Sequence, residues 1–165
     1  MAVSFLLDVQ GIPGESQDDN SAYNQKIEID SFSFGAAQSG TLQTGTGRAG
    51  GKVSVQDFSF AKHADLSTPK LVQYCATGEY IPKATLTARR TGQTAGGLTP
   101  YLTVVFTDLI VSLFQTSGSN GDAGMPAENI AFNFSKIEFQ YTPQDQGASK
   151  GTLRAAYDLK TSVAS

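Results

Sequence analysis

Four segments of this chain carry apolar residues at the first, third, sixth and eighth positions of an eight-residue window. They are Ile27, Ile29, Phe32 and Phe34; Val53, Val55, Phe58 and Phe60; Val104, Phe106, Leu109 and Val111; and Phe132, Phe134, Ile137 and Phe139. A strand with one buried face alternates with a period of two, so a polar pair inserted in mid-pattern moves the apolar set to the opposite phase. All four apolar residues of a segment reach one core only if the strand bends through a bulge or corner at that pair. Four corners of one kind are far easier to satisfy in a closed barrel or orthogonal sandwich than in an open flat sheet.

The rest of the chain reads as strands and turns. The sequence holds 17 Gly, 10 Phe and 6 Tyr among its 165 residues, and long helix-forming runs are scarce. Val3, Phe5, Leu7 and Val9 open the chain as a strand that Gly11-Ile-Pro-Gly14 ends, and residues 15–24 form a loop. Further strands are expected over 80–90 and 153–159, with loops over 91–99 and 116–126. One helix is predicted, with Thr68 as cap, Pro69 at the first helical position, Leu71, Tyr74 and Cys75 on one face, and Gly78 at its end. The expected fold is all-β: a small closed β-barrel of two sheets with one short flanking α-helix and a long protruding hairpin loop, in a single domain over residues 1–165.

That loop, Gly35 to Gly51, contains Gly45-x-Gly47-x-x-Gly50 and then Lys52. The spelling matches a dinucleotide fingerprint, but the fingerprint needs a helix at its end to aim amides at a pyrophosphate, and Val53 starts a strand. A P-loop fails as well, because Val53 stands where a Ser or Thr would hold magnesium. The stretch is read as the tip of a long hairpin.

Other chemistry is equally thin. His63 is the one histidine and Cys75 the one cysteine, so a Cys-His dyad is conceivable, but Cys75 falls on the apolar helix face and no third orienting group presents itself. One His and one Cys cannot build a usual zinc site. Asp18, Asp19 and Asn20, or Asn120 and Asp122, lack the spaced oxygen ladder of a calcium loop and read as solvated turns. Asn133-Phe134-Ser135 spells a glycosylation acceptor inside a cornered strand, where it has no use. With 12 basic and 15 acidic residues dispersed along the chain, no basic stripe points to nucleic acid or an acidic membrane. No apolar run reaches transmembrane length, no basic leader precedes Asp8, and a single cysteine fits folding in a reducing compartment.

In order and spacing, Gly11-Ile-Pro-Gly14-Glu15-Ser16, Ile27 to Gly35, Asp65-Leu-Ser67-Thr-Pro69-Lys70-Leu71 with Gly78, Tyr101-Leu102, and Glu128-x-Ile130 leading into Phe132 to Ile137 and Tyr141 resemble the haemolysin-coregulated protein (Hcp) family of bacterial type VI secretion. The likeness covers nearly the whole chain. Phe32 and Phe34 stand where the family often has tryptophan, and the loop after Glu15-Ser16 lacks its usual histidine. The resemblance implies a structural protein without enzymatic activity or cofactor. Six copies would close into a ring, and rings would stack into a tube driven by a contractile sheath, tipped by a spike and able to carry effectors in its lumen. Synthesis in the bacterial cytoplasm and export without a cleaved signal peptide are implied with it.

Within that frame Thr41, Leu42 and Arg48 at the hairpin tip are expected at the contact between rings, since compact domains seldom keep so long a polar loop without a use. Glu28, Ser54 and Asn133, polar residues between apolar positions, are expected to face the lumen or a neighbouring copy. The alternative is a β-barrel module that binds carbohydrate or peptide in a groove lined by Phe or Tyr.

Overall fold

The computed structural model describes residues 3–38, 53–91, 98–121, 124–145, 148–149, 151–161 and 163–165. In chain order the elements are β1 (Val3–Val9), β2 (Ile27–Ile29), β3 (Ser31–Ser33), β4 (Ala36–Gln38), β5 (Val53–Val55), β6 (Phe58–His63), α1 (Thr68–Thr77), β7 (Ile81–Thr91), β8 (Leu98–Ser117), β9 (Ala127–Tyr141), β10 (Gln144–Asp145), β11 (Ala148–Ser149), β12 (Leu153–Asp158) and β13 (Val163–Ala164). Nine strands form one antiparallel sheet in the order β13-β12-β9-β8-β7-β1-β2, with β6 joined to β9 and β3 joined to β6. The layers of the expected barrel are thus parts of a single sheet bent over on itself, with β4–β5 and β10–β11 as separate two-stranded ladders.

Each apolar pattern bends at its polar pair. In the first, β2 pairs with β1 and β3 pairs with β6, so two strands separated only by Asp30 bind opposite edges of the sheet. The Asp30 amide donates to the Ala61 carbonyl at 2.8 Å and fixes the crossing. In the second, Gln56 and Asp57 separate β5 from β6, and the Gln56 amide donates to the Gly35 carbonyl at 2.8 Å. The third and fourth turn together: Val104 lies opposite Phe139, Phe106 opposite Ile137, Leu109 opposite Phe134 and Val111 opposite Phe132. Asp108, at the phase change, takes φ 54°, a left-handed conformation that Asp tolerates better than most residues. Across this corner the other edge of β9 passes from β6, paired up to Phe132, to β12, paired from Lys136.

The core follows from the patterns. Phe58, Phe106, Phe132, Leu7, Ile27, Leu86 and Leu109 are fully buried, and the Phe58 and Phe106 rings meet with centroids 4.6 Å apart. Helix α1 contributes Leu71 to this core, with Tyr74 and Cys75 packed at its margin, and Gly78 ends it at φ 66°. Thr68 is not the cap: Ser67 holds that position without a side-chain cap bond. Thr68 stands one residue inside the helix, where its hydroxyl donates to the Glu128 carboxylate at 2.8 Å and accepts the Asp65 amide at 3.1 Å. Strand β8 runs past the expected loop start at Thr116 to Ser117, and β12 stops at Asp158. The two-residue strands β10, β11 and β13 are too short to carry a periodicity.

Among the described residues two positive charges are buried. Lys62 occupies an inward position of β6 in phase with Phe58 and Phe60, directly across from Glu128 on β9. Its Nζ lies 2.6 Å from Glu128 Oε2 and 2.8 Å from Asp65 Oδ1, and donates to the His63 carbonyl at 3.1 Å. The Asp65 carboxylate also receives the Ser67 amide at 2.9 Å, so the network seals one end of the core with the start of α1. Arg89, on the outer side of β7, is covered by the 15–24 loop. It donates to Asp18 Oδ2 at 2.8 Å and lies 4.2 Å over the Tyr23 ring. At the base of that loop a Cβ on Gly14 would stand 2.3 Å from the Lys26 carbonyl oxygen, so only glycine admits the close approach.

Three outcomes are expected. Phe106→Ala lowers unfolding free energy by about 3–5 kcal/mol in denaturant titration, whereas Phe139→Ala, at a site already 36% exposed, costs well under half of that. Lys62→Met strands the Glu128 charge and costs about 3–5 kcal/mol, most of it regained in Lys62→Met/Glu128→Leu. The Asn20 amide, followed by the Arg89 guanidinium, holds the Asp18 carboxyl below its ordinary value. Its contribution is therefore full above the unfolded aspartate pKa and lost as pH falls through the lower folded value. NMR titration should place the Asp18 midpoint below that of an unfolded aspartate and move it upward in Arg89→Met.

Candidate functional site

The residues that could carry catalysis are held in structural roles. His63 Nδ1 lies 2.9 Å from Asp30 Oδ2, both side chains being more than half exposed at the β2–β3 crossing. Cys75 instead packs half-buried on the core side of α1, so the fold gives each half of the proposed dyad a different partner. Among the described residues no group of three or more His, Cys, Asp or Glu side chains could hold a metal ion. The Lys62 ammonium has no exposed surface and cannot meet a substrate without unfolding the barrel end.

The surfaces are more informative. Glu28 is exposed on β2 and, with Glu15, Asp30, His63 and Asp65, lines a shallow acidic depression of about 200 Å³. Leu66, 56% exposed, stands beside it and shares Glu15 with a neighbouring hollow. Ser54 is exposed on β5 opposite Ala37. Asn133 is also exposed, and its amide donates to Asp57 Oδ1 at 2.9 Å while the Ser112 hydroxyl donates to Asp57 Oδ2 at 2.7 Å. Ser112 is the extra residue where β8 shifts register against β9 between Val111 and Leu113. The carboxylate at the β5–β6 corner therefore clasps the bulge and the neighbouring strand, a role for Asn133 that its alternation in the sequence does not reveal. Thr41, Leu42 and Arg48, with the glycines of the fingerprint-like run, lie outside the described residues.

An apolar cleft of about 310 Å³ opens between Phe32, Phe34, Phe58, Phe106 and Phe139. The Phe34 and Phe139 rings stand 5.7 Å apart at its rim. The aromatics singled out in the sequence, Phe132 and Phe134, are buried core and do not line this cleft; the inward-facing set that is buried in the middle of β9 is half-open at its end, at Phe139. No described helix is long and apolar enough to cross a membrane.

Comparison with known proteins fits this picture of a barrel that works through surfaces. The profile of the family described as "Type VI secretion system effector, Hcp" matches residues 6–141. Protein hcp1 of Pseudomonas aeruginosa is 34% identical over 165 residues, covering 99% of each chain. The crystal structure of Hcp1 from Salmonella typhimurium superposes with a TM-score of 0.81 at 34% identity, over 100% of both chains. A structure described as a type six secretion system protein reaches a TM-score of 0.88 at 28% identity, covering 99% of this chain and 100% of the other. On the profile match and the full-length likeness in both sequence and fold, this chain belongs to the Hcp family of type VI secretion proteins.

Proposed function

We propose that this chain, acting as one domain over residues 1–165, is the tube subunit of a bacterial type VI secretion system. Six copies form a ring, the rings stack into an inner tube, and the tube carries effector proteins in its lumen. The observation that carries the reading is family membership along the whole chain at 34% identity. In this reading a contractile sheath drives the tube outward behind a spike. The subunit is made in the bacterial cytoplasm and leaves without a cleaved signal. Closed cyclic symmetry demands that one face of a subunit meet a different face of its neighbour. Glu28, Ser54 and Asn133 are offered to lumen or neighbour contacts, and Thr41, Leu42 and Arg48 to the contact between rings.

The apolar cleft beside Phe34 and Phe139 is the feature that favours the second reading, a module gripping a peptide or sugar. Native mass measurement separates the two. The tube subunit yields a species six times the 17.4 kDa chain mass and hexagonal rings by electron microscopy, with short tubes at high concentration. A strictly monomeric protein at high concentration would overturn the tube reading.

A further inference from the structure

One apolar row runs across the sheet and leaves the core. Ile29 on β2 lies opposite Phe5 on β1, Phe5 opposite Ala88 on β7, Ala88 opposite Leu102 on β8, Leu102 opposite Tyr141 on β9, and Tyr141 opposite Leu153 on β12. Along the row exposure rises from Ile29 at 5% and Ala88 at 0% to Tyr141 at 45% and Leu153 at 73%. All six belong to the phase that faces the core elsewhere, so the barrel's inner layer continues past its own edge into solvent. A contiguous apolar surface of this kind on a folded chain marks a contact site rather than scattered exposure.

Charge tells what covers it. Basic side chains stand at this end: Arg154 beside Leu153, and Arg90, which lies over the Tyr101 ring at 5.4 Å. The other end of β9 has the opposite character. There Ala127 pairs with His63, and the carboxylates Glu15, Glu28 and Asp30 surround the depression next to exposed Leu66. The two ends lie at opposite ends of β9, roughly 45 Å apart measured along the bent strand. A chain with an apolar, basic patch at one end and an apolar, acidic patch at the other is complementary to a second copy of itself, head to tail.

Resting on the tube reading above, we propose that Tyr141 and Leu153 of one copy dock against Leu66 of the next, with Arg90 and Arg154 facing Glu15, Glu28 and Asp30. Leu153 and Leu66 would then be the central anchors, buried only on assembly, and the charges the rim that sets direction.

The test joins Leu66→Cys and Leu153→Cys in a Cys75→Ser background and treats native assemblies with a short bis-maleimide. The double variant should give a ladder of covalently linked copies under denaturing conditions, and neither single variant should do so. In parallel, Leu153→Asp should weaken assembly at least tenfold by dilution and native mass measurement, and Arg154→Glu should weaken it in a way that Glu28→Arg/Asp30→Arg restores. Tyr80→Ser, at a site 70% exposed between α1 and β7 and outside both patches, should leave assembly within twofold of the parent. Rings that form normally while the double variant gives no ladder and Leu153→Asp assembles like the parent would overturn this contact and leave the tube reading standing. A parent protein that never assembles would overturn the tube reading itself.

Discussion

The fold depends on one short segment that serves two edges of the sheet. From Ile27 to Ser33 the chain completes its pairing with β1, turns at Asp30 and begins pairing with β6, so the circuit of strands is joined by covalent continuity rather than by a last ladder alone. Closure removes the exposed edges that an open sheet would present. It also requires strands of the circuit to bend, and the same polar interruption recurs at Gln56-Asp57, Thr107-Asp108 and Ser135-Lys136. The paired corner of β8 and β9 is the clearest case: all four apolar positions of one strand face those of the other, and one left-handed aspartate absorbs the change of phase.

Much of this is legible in the sequence because it rests on periodicity. The eight-residue pattern identified the strands, their corners and a barrel, and the Pro69 and Gly78 signals bounded the helix. What is not legible depends on partners far apart in the chain. Lys62 stands in an inward phase that alternation alone would assign to an apolar residue, and only the opposed Glu128 and the turn carrying Asp65 make it tenable. Thr68 looks like a cap because its type suits one, yet the cap position falls a residue earlier at Ser67, and the Thr68 hydroxyl joins Glu128 on a distant strand. Asn133 reads as a free surface amide, and the Asp57 that engages it comes from another corner.

The surfaces show the same division. Alternation identified Glu28, Ser54 and Asn133 as outward residues, and all three are exposed in the described structure. It could not separate aromatic residues that fill the barrel from those that border an opening, since Phe134 and Phe139 belong to one apolar set on one strand and differ in how far the barrel reaches over them. The likeness to Hcp proteins supplies the functional frame, and the physical reading adds where this chain's own apolar surface and charge are laid out within it.

The crossing at Asp30 also dictates where the chain can vary in length. Residues added within Gly35–Gly51 lengthen a hairpin whose two arms already pair at Gln38 and Val53, and they disturb no register in the main circuit. A single residue added between Ile29 and Phe32 would slip the pairing on β1 or on β6, and either slip turns an entire apolar set outward. Length can therefore vary at the hairpin, while the seven residues from Ile27 to Ser33 are fixed in number by the two ladders they serve.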